Sequence, residues 1–193
     1  MKNNLILLTL TLTLISCQPK DGPVEILPGP QVDPLMSHVG TWSTGCITSS
    51  DNSSKIIHNL VISDNPKTIS LTVKVYPINS PDCTSGQLSE FDSSATYSRS
   101  GDSYTTSLTS YGYTPKDAGI LNILNSSNFC GFTDWVVSQR KDILSKDCIL
   151  LSEGPRQVDY TRQNGESNEF NVSRNGSVLE TDEYPAYDYN LVQ

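Results

Sequence analysis

Residues 68–76 read Thr-Ile-Ser-Leu-Thr-Val-Lys-Val-Tyr, and this stretch decides the fold class. Its four aliphatic residues recur at every second position, so they occupy one face of an extended strand. Most of its residues are β-branched, and such side chains suit a pleated, half-buried surface. Residues 55–62 predict a preceding strand, and residues 63–66, Ser-Asp-Asn-Pro, favour a turn between the two. The pattern predicts an antiparallel hairpin.

The rest of the chain indicates a series of further short strands. They are predicted over residues 40–47, 94–99, 103–111, 130–138, 148–151, 157–163, 169–174 and 176–181. Gly101 and the Asn-Gly pairs at 164–165 and 175–176 mark hairpin turns. Residues 115–128 fit a short helix or a buried strand. The spacing predicts an all-β fold, a single antiparallel up-and-down β-barrel or, alternatively, a β-sandwich.

The amino terminus predicts export. An apolar run over residues 5–15 is too short to span a bilayer but has the length of a signal-peptide core. It leads into residues 14–17, Leu-Ile-Ser-Cys, which resemble the lipobox of bacterial lipoproteins. The resemblance implies that residues 1–16 are a signal peptide and that Cys17 receives a lipid anchor with acyl chains such as palmitate. Gln18, in place of Asp, implies sorting to the outer membrane.

Residues 17–36 predict a tether between the anchor and the folded domain. Five of the chain's 11 prolines fall within it, which disfavours helix and strand pairing and favours an extended spacer. Residues 37–193 then form the barrel domain, which ends in an acidic, Tyr-rich tail. The tail at residues 180–189 fits a docking segment, a loose cation site, a solvated tail or a final strand with packed tyrosines.

Four further cysteines indicate two disulfides. The cysteines that remain after Cys17 are Cys46, Cys83, Cys130 and Cys148. An even number in an oxidising compartment favours disulfides, and three pairings are possible. We favour Cys46 with Cys83 and the later two with each other, because each pair joins sequence neighbours near predicted strand ends. Zinc is the competing use, but the chain has no Cys-x-x-Cys, and we predict no metal.

Composition and charge argue against several functions. Ser, Thr and Asn supply 27, 17 and 14 of the 193 residues, whereas Ala, the best helix former, occurs three times. A formal charge of −8 is the wrong sign for binding nucleic acid. The sequence contains no nucleophile elbow or phosphate-binding glycine loop, and His38 and His58 fit structural roles. We therefore predict that the protein is not an enzyme and has no cofactor.

Several residues of the barrel domain resemble the lipocalin family. Gly40 and Trp42 match the Gly-x-Trp of lipocalins, whose tryptophan closes one end of an eight-stranded up-and-down barrel. Residues 133–135, Thr-Asp-Trp, resemble the family's second motif, Thr-Asp-Tyr, with Trp in place of Tyr. The resemblance also implies a late arginine, Arg156 or Arg162, packed across Trp42 in a cation–π contact.

These observations lead us to expect a lipid-anchored periplasmic or outer-membrane lipoprotein whose barrel binds a small apolar ligand. Eight strands enclose room for one small ligand or for side chains alone, and alternation leaves open whether inward residues such as Leu71 and Val73 border a cavity. The alternative is a non-enzymatic interaction or inhibitor module whose loops, at residues 77–85 and 115–128, contact a protein partner. A cavity open at one end would favour the first function.

Overall fold

The computed structural model describes residues 37–151, 157–182 and 188–192. The predicted signal peptide and tether, Cys17 and Arg156 all lie outside these ranges. The elements are β1 (Gly40–Ser43), β2 (Ile47–Thr48), β3 (Ser54–Asp64), β4 (Lys67–Pro77), β5 (Ser89–Ser100), β6 (Ser103–Pro115), α1 (Ala118–Ser126), a 3₁₀ turn (Phe129–Gly131), β7 (Lys141–Asp142), β8 (Ile149–Leu151), β9 (Gln157–Asp159), β10 (Ser167–Asn175), β11 (Val178–Thr181) and β12 (Asp188–Leu191).

Eight of the described strands close into a barrel. Neighbouring strands follow the order β1-β3-β4-β5-β6-β10-β11-β12, all antiparallel, and β12 pairs with β1 to close the ring. The pairs β8–β9 and β6–β7 lie in or beside the long connection between β6 and β10. The predicted all-β class and lipocalin-like up-and-down barrel are thereby confirmed, and the β-sandwich alternative is not.

The long hairpins follow the predicted turn chemistry. In β3 and β4 all eleven residues pair, from Ser54 with Pro77 to Asp64 with Lys67. Gly101 closes the β5–β6 hairpin and Gly176 the β10–β11 hairpin, each with a φ of 61°, a left-handed backbone that glycine adopts without steric cost. The hairpins predicted from residues 63–66, from Gly101 and from Asn-Gly at 175–176 are therefore confirmed.

The first strand, predicted as continuous over residues 40–47, is interrupted. It divides into β1 and β2, which both pair with β3, and Gly45 between them has a φ of 67°. Thr44 bridges the break, since its N–H donates to the His58 carbonyl at 3.1 Å while its Oγ1 accepts from the His58 N–H at 3.0 Å. A side-chain hydroxyl thus takes one place in the hydrogen-bond ladder.

The strand predicted over residues 130–138 is wrong. This segment contains the end of the 3₁₀ turn and an irregular loop, with left-handed backbone at Cys130, Gly131 and Ser138. Such conformations cannot continue a pleated strand. Residues 115–128, which fitted a helix or a strand, contain α1, capped by the Asp117 carboxylate that accepts from the Gly119 N–H at 2.7 Å.

The strand predicted over residues 157–163 is only three residues long, and it pairs with β8 rather than with the next barrel strand. The Asn-Gly pair at 164–165 therefore does not form the predicted hairpin. Gly165 instead donates its N–H to the Leu108 carbonyl at 2.8 Å, which brings the chain back to β6 at the start of β10. At the tail, β12 is a final strand with Tyr189 buried against the barrel, and residues 183–187 lie outside the described ranges.

Two clusters of buried side chains organise the interior. The base cluster fills one end of the barrel and contains Trp42, Leu60, Ile62, Ile69, Tyr97, Tyr104, Val172, Leu179 and Tyr189. The insertion, residues 116–166 between β6 and β10, has its own cluster, which contains Tyr113 of β6 with Leu124, Phe129, Cys130, Trp135, Ile143 and Cys148. A cavity lies between the filled base and the insertion.

Candidate ligand cavity

The barrel encloses a cavity of about 840 Å³. Ligand sites in proteins are commonly clefts of roughly 300–1,000 Å³ lined largely by apolar side chains. Leu71 and Val73, the inward positions whose surroundings the sequence left open, both line the cavity and are only half-buried. Their alternation therefore marks the wall of an open space and not a filled core.

Small side chains make room for the cavity at mid-height. Ser93 and Ala95 on β5 and Thr106 on β6 are inward positions that line it, where larger residues would fill the barrel. Apolar neighbours from the same two strands, Phe91 and Leu108, complete this part of the wall. These residues were not predicted as a site, although two small residues in one inward row of β5 are a sequence signal for incomplete filling.

Aromatic rings line the cavity where the insertion meets the barrel. Phe91 lies nearly parallel to Tyr160, with ring centroids 5.1 Å apart, and to Tyr111, with centroids 6.2 Å apart. Burial raises the pKa of Tyr111 to about 12 and, together with the nearby Asp51, raises that of Tyr160. Both phenols therefore stay protonated and act as neutral polar edges on an apolar surface.

Three of the four charged residues that line the cavity lie at its mouth. Asp51, Arg162 and Glu166 line the cavity and are exposed to solvent. Hydrogen bonds from the Ser49 and Ser53 side chains and from the Ser53 N–H hold the pKa of Asp51 at about 2, so this carboxylate is ionised at all physiological pH values. The mouth therefore offers both signs of charge.

His58 lies in the cavity wall on β3 and is 9% exposed. Its Nδ1 is 3.3 Å from the Tyr189 hydroxyl. Burial lowers the pKa of His58 to about 4, so the ring is neutral near pH 7. A neutral, hydrogen-bonded imidazole fits the structural role predicted for His58.

A smaller cavity of about 180 Å³ lies beneath α1. It is lined by residues of the helix and of the upper barrel wall, including Ile120, Leu124, Val75 and Phe91. Because Val75 and Phe91 also line the large cavity, the two spaces adjoin. The insertion therefore borders the large cavity directly.

The base of the barrel bears the Gly-x-Trp motif. Trp42 is fully buried, and its Nε1 donates to the His38 carbonyl at 2.9 Å. Gly40 has a φ of 148°, and a Cβ there would lie 3.3 Å from Leu191 Cδ1, so both backbone and space favour glycine. The tryptophan closes one end of the barrel, as the lipocalin resemblance implies.

The arginine across Trp42 is Arg174, which corrects the prediction of Arg156 or Arg162. The Arg174 guanidinium lies 5.0 Å from the Trp42 ring centroid, and it also donates to the Ser37 carbonyl. Arg162 lies at the cavity mouth instead, where it donates to the Thr161 carbonyl at 2.8 Å. β10 brings Arg174 past the base, a placement that depends on strand pairing and not on sequence distance.

The Thr-Asp-Trp segment lies in the insertion. Trp135 is buried, its Nε1 donates to the Phe129 carbonyl at 3.2 Å, and Asn125 of α1 brackets its backbone with two hydrogen bonds. Asp134 is exposed and forms an ion pair with Lys141. The motif therefore anchors α1 and the loop after the 3₁₀ turn, and it does not line the large cavity.

Both disulfides have the favoured pairing. Cys46 joins Cys83, which ties the segment between β1 and β2 to the loop after β4. Cys130 joins Cys148 within the insertion, and both lie in its buried cluster. No group of three or more His, Cys, Asp or Glu side chains in the described ranges has metal-site geometry.

His38, the other histidine, lies at the base. It is 3% exposed, and its Nδ1 is 3.0 Å from the Tyr104 hydroxyl. Burial and the neighbouring Arg99 lower the pKa of His38.

Among the helices that the structure describes, none has both the length and the apolar composition needed to cross a membrane. No protein-family model and no curated protein matches the chain, so the functional argument depends on the fold and the cavity.

Proposed function

We propose that the chain is a lipid-anchored envelope lipoprotein whose lipocalin-like barrel binds a small, largely apolar ligand, without enzymatic activity. The observation that supports this best is the cavity of about 840 Å³ bordered by Leu71, Val73 and Phe91. An unfilled apolar space in a barrel costs dispersion contacts, and a ligand that occupies it regains them.

The size of the cavity limits the ligand. At about 840 Å³ it accommodates one molecule of several hundred daltons, within the ordinary range of small-molecule sites. The aliphatic row on β4 and the rings of Phe91, Tyr111 and Tyr160 favour an apolar body. The charged residues at the mouth are placed to meet a polar end.

The membrane anchor is the second part of the proposal, and it is supported by the lipobox at residues 14–17. More than one acyl chain gives stable attachment, since each buried methylene contributes about 0.8 kcal/mol. We expect Cys17→Ser to release the protein from the membrane fraction of a Gram-negative host. Retention of a processed Cys17→Ser protein in that fraction would contradict the anchor and leave ligand binding unaffected.

Native mass spectrometry of the protein gently extracted from its own envelope tests ligand binding. We expect an excess mass of a few hundred daltons that is lost on denaturation and differs from the acyl anchor. The matched variants are Ser93→Phe, which places a ring in the cavity, and Ser98→Phe, on the exposed outer face of the same strand. The first should abolish the excess mass and the second should keep it.

A second candidate, an interaction module, is favoured by exposed apolar side chains on the insertion. Val136 is 52% exposed and Ile123 48%, and hydrogen bonds between Asn125 and Trp135 hold their two segments together. A bare protein mass would favour this candidate. In that case Val136→Ser should weaken capture of a partner from the envelope, whereas Ser93→Phe should not.

A further inference from the structure

The two sides of the cavity differ in polarity. In the eight-strand ring β4 and β11 are four steps apart in either direction, so they face each other across the barrel. The inward residues of β4 that line the cavity are all aliphatic: Ile69, Leu71, Val73 and Val75. The β4 side of the cavity is therefore a continuous apolar wall.

The opposite side presents oxygen and nitrogen atoms. Thr181 on β11, Asn168 on β10 and Tyr189 on β12 line the cavity there, beside the ring of Phe170. Thr106 on β6 adjoins them, and its Oγ1 donates to the Asn168 carbonyl at 3.1 Å, which leaves the hydroxyl oxygen able to accept. His58 extends this polar wall through its contact with Tyr189.

The polar wall is uncharged. Among the described lining residues, Asp51, Asp92, Arg162 and Glu166 bear full charges; three of them are exposed at the mouth, and Asp92 pairs with Arg140 at 2.6 Å. His58 is neutral near pH 7 because burial lowers its pKa to about 4. Neutral hydrogen-bonding groups on the ligand therefore suit the cavity interior better than charged groups do.

We propose that the ligand has one apolar face, held against β4, and one face bearing hydroxyl or keto groups, held against β10–β12. This inference rests on the proposed function, because it concerns the same cavity. A ligand with two apolar faces would exclude water from the Thr106 and Thr181 hydroxyls without offering them a hydrogen bond in its place, and this loss is costly.

Displacement of Nile red by a matched pair of steroids tests the proposal. Cholate is hydroxylated on one face, and 5β-cholanate has the same skeleton and carboxylate without hydroxyls. The protein is the oxidised full chain with Cys17→Ser. Both steroids are used below their micellar concentrations. We expect cholate to displace the dye at an about tenfold lower concentration than cholanate, which corresponds to two ordinary hydrogen bonds.

Isosteric variants assign the preference to the polar wall. Thr106→Val with Thr181→Val removes two hydroxyls and should reduce the preference for cholate to less than about threefold. Thr105→Val, at an exposed outward position of β6, is the matched control and should keep it. Equal or tighter displacement by cholanate in the unsubstituted cavity would overturn the two-faced ligand but not the carrier. A failure of Nile red to bind would overturn the carrier as well.

Discussion

The base and the cavity of the barrel share one alternation of side chains but have opposite interiors. At the base, inward positions of β5 and β6 are Tyr97 and Tyr104, whose rings pack with centroids 5.1 Å apart. One inward position further along the same strands lie Ala95 and Thr106, beside open space. Periodicity determines which face is inside, and side-chain volume determines whether the inside is full.

The largest expected effect is the difference in lost stability between a substitution at the base and one in the cavity wall. Trp42→Ala removes a fully buried ring and its hydrogen bond to His38, and we expect the free energy of unfolding to fall by about 4 kcal/mol. Leu71→Ala, in the half-empty cavity wall, should cost less than about 2 kcal/mol, because fewer contacts are lost. Urea titration measures both. Equal losses would contradict the contrast between filled base and open cavity.

Acidification should act on the cavity wall through His58. Because its pKa is about 4 in the fold and about 6.5 in the unfolded chain, the unfolded state binds more protons between these values. The free energy of unfolding therefore falls as the pH is lowered from 6.5 to 4, by at most about 3 kcal/mol.

His58→Gln is the variant that isolates this contribution. His38 at the base also has a lowered pKa and adds a slope of the same sign, so the informative quantity is the difference between the two pH profiles. We expect the His58→Gln profile to be flatter over pH 4–6.5. Superimposable profiles would show that His58 ionises in the fold as it does in the unfolded chain.

Arg174, which lies across Trp42, and Arg162, which was predicted there, should differ by a smaller amount in their effect on stability. Arg174→Gln removes the cation above Trp42 and should lower the free energy of unfolding by about 1 kcal/mol. Arg162→Gln, at the exposed mouth, should change it by less than about 0.5 kcal/mol. Chemical denaturation of both variants checks the assignment, and a larger loss for Arg162→Gln would reverse it.

The smallest effect concerns the outer wall. A Cβ at Gly112 would lie 2.3 Å from the Arg140 guanidinium, so Gly112→Ala must displace that group from its ion pair with Asp92. The pair is partly exposed, and we expect a loss of less than about 1 kcal/mol. In the double variant with Asp92→Asn, the second change should add almost nothing. If the two losses were fully additive, the Arg140–Asp92 ion pair would have to persist in the Gly112→Ala variant.

Sequence patterns predicted the barrel better than the insertion, and the reason is physical. Alternation over residues 68–76 and the turns at Gly101 and Gly176 are local signals, and they gave the correct hairpins. In the insertion, the left-handed conformation of Cys130 accompanies its disulfide to Cys148 and its place in a buried cluster. Those contacts join residues distant in sequence, so no local periodicity of the sequence predicts them.

The sequence allowed us to propose a site inside the barrel, but it did not identify most of the residues that line the cavity. The sequence indicates inward positions such as Leu71, yet the void beside them depends on the summed volume of side chains from several strands. Arg174 shows the same limit, because β10 runs past the base only once its pairing with β6 places it there. The disulfide pairing was predicted correctly because each bridge joins cysteines that are neighbours in sequence, although Cys130 lies in the 3₁₀ turn and not at the predicted strand end.

The short strand β1 has a mechanical consequence. It is the first barrel strand in the described residues, and its pairings with β3 and β12 close the ring. Tension applied to the chain before residue 37 would therefore reach the seam of the barrel directly. The bonds from Arg174 to the Ser37 carbonyl and from Trp42 to the His38 carbonyl lie ahead of that seam. They form a clamp, so the force that separates β1 from its neighbours depends on side chains at the base of the barrel.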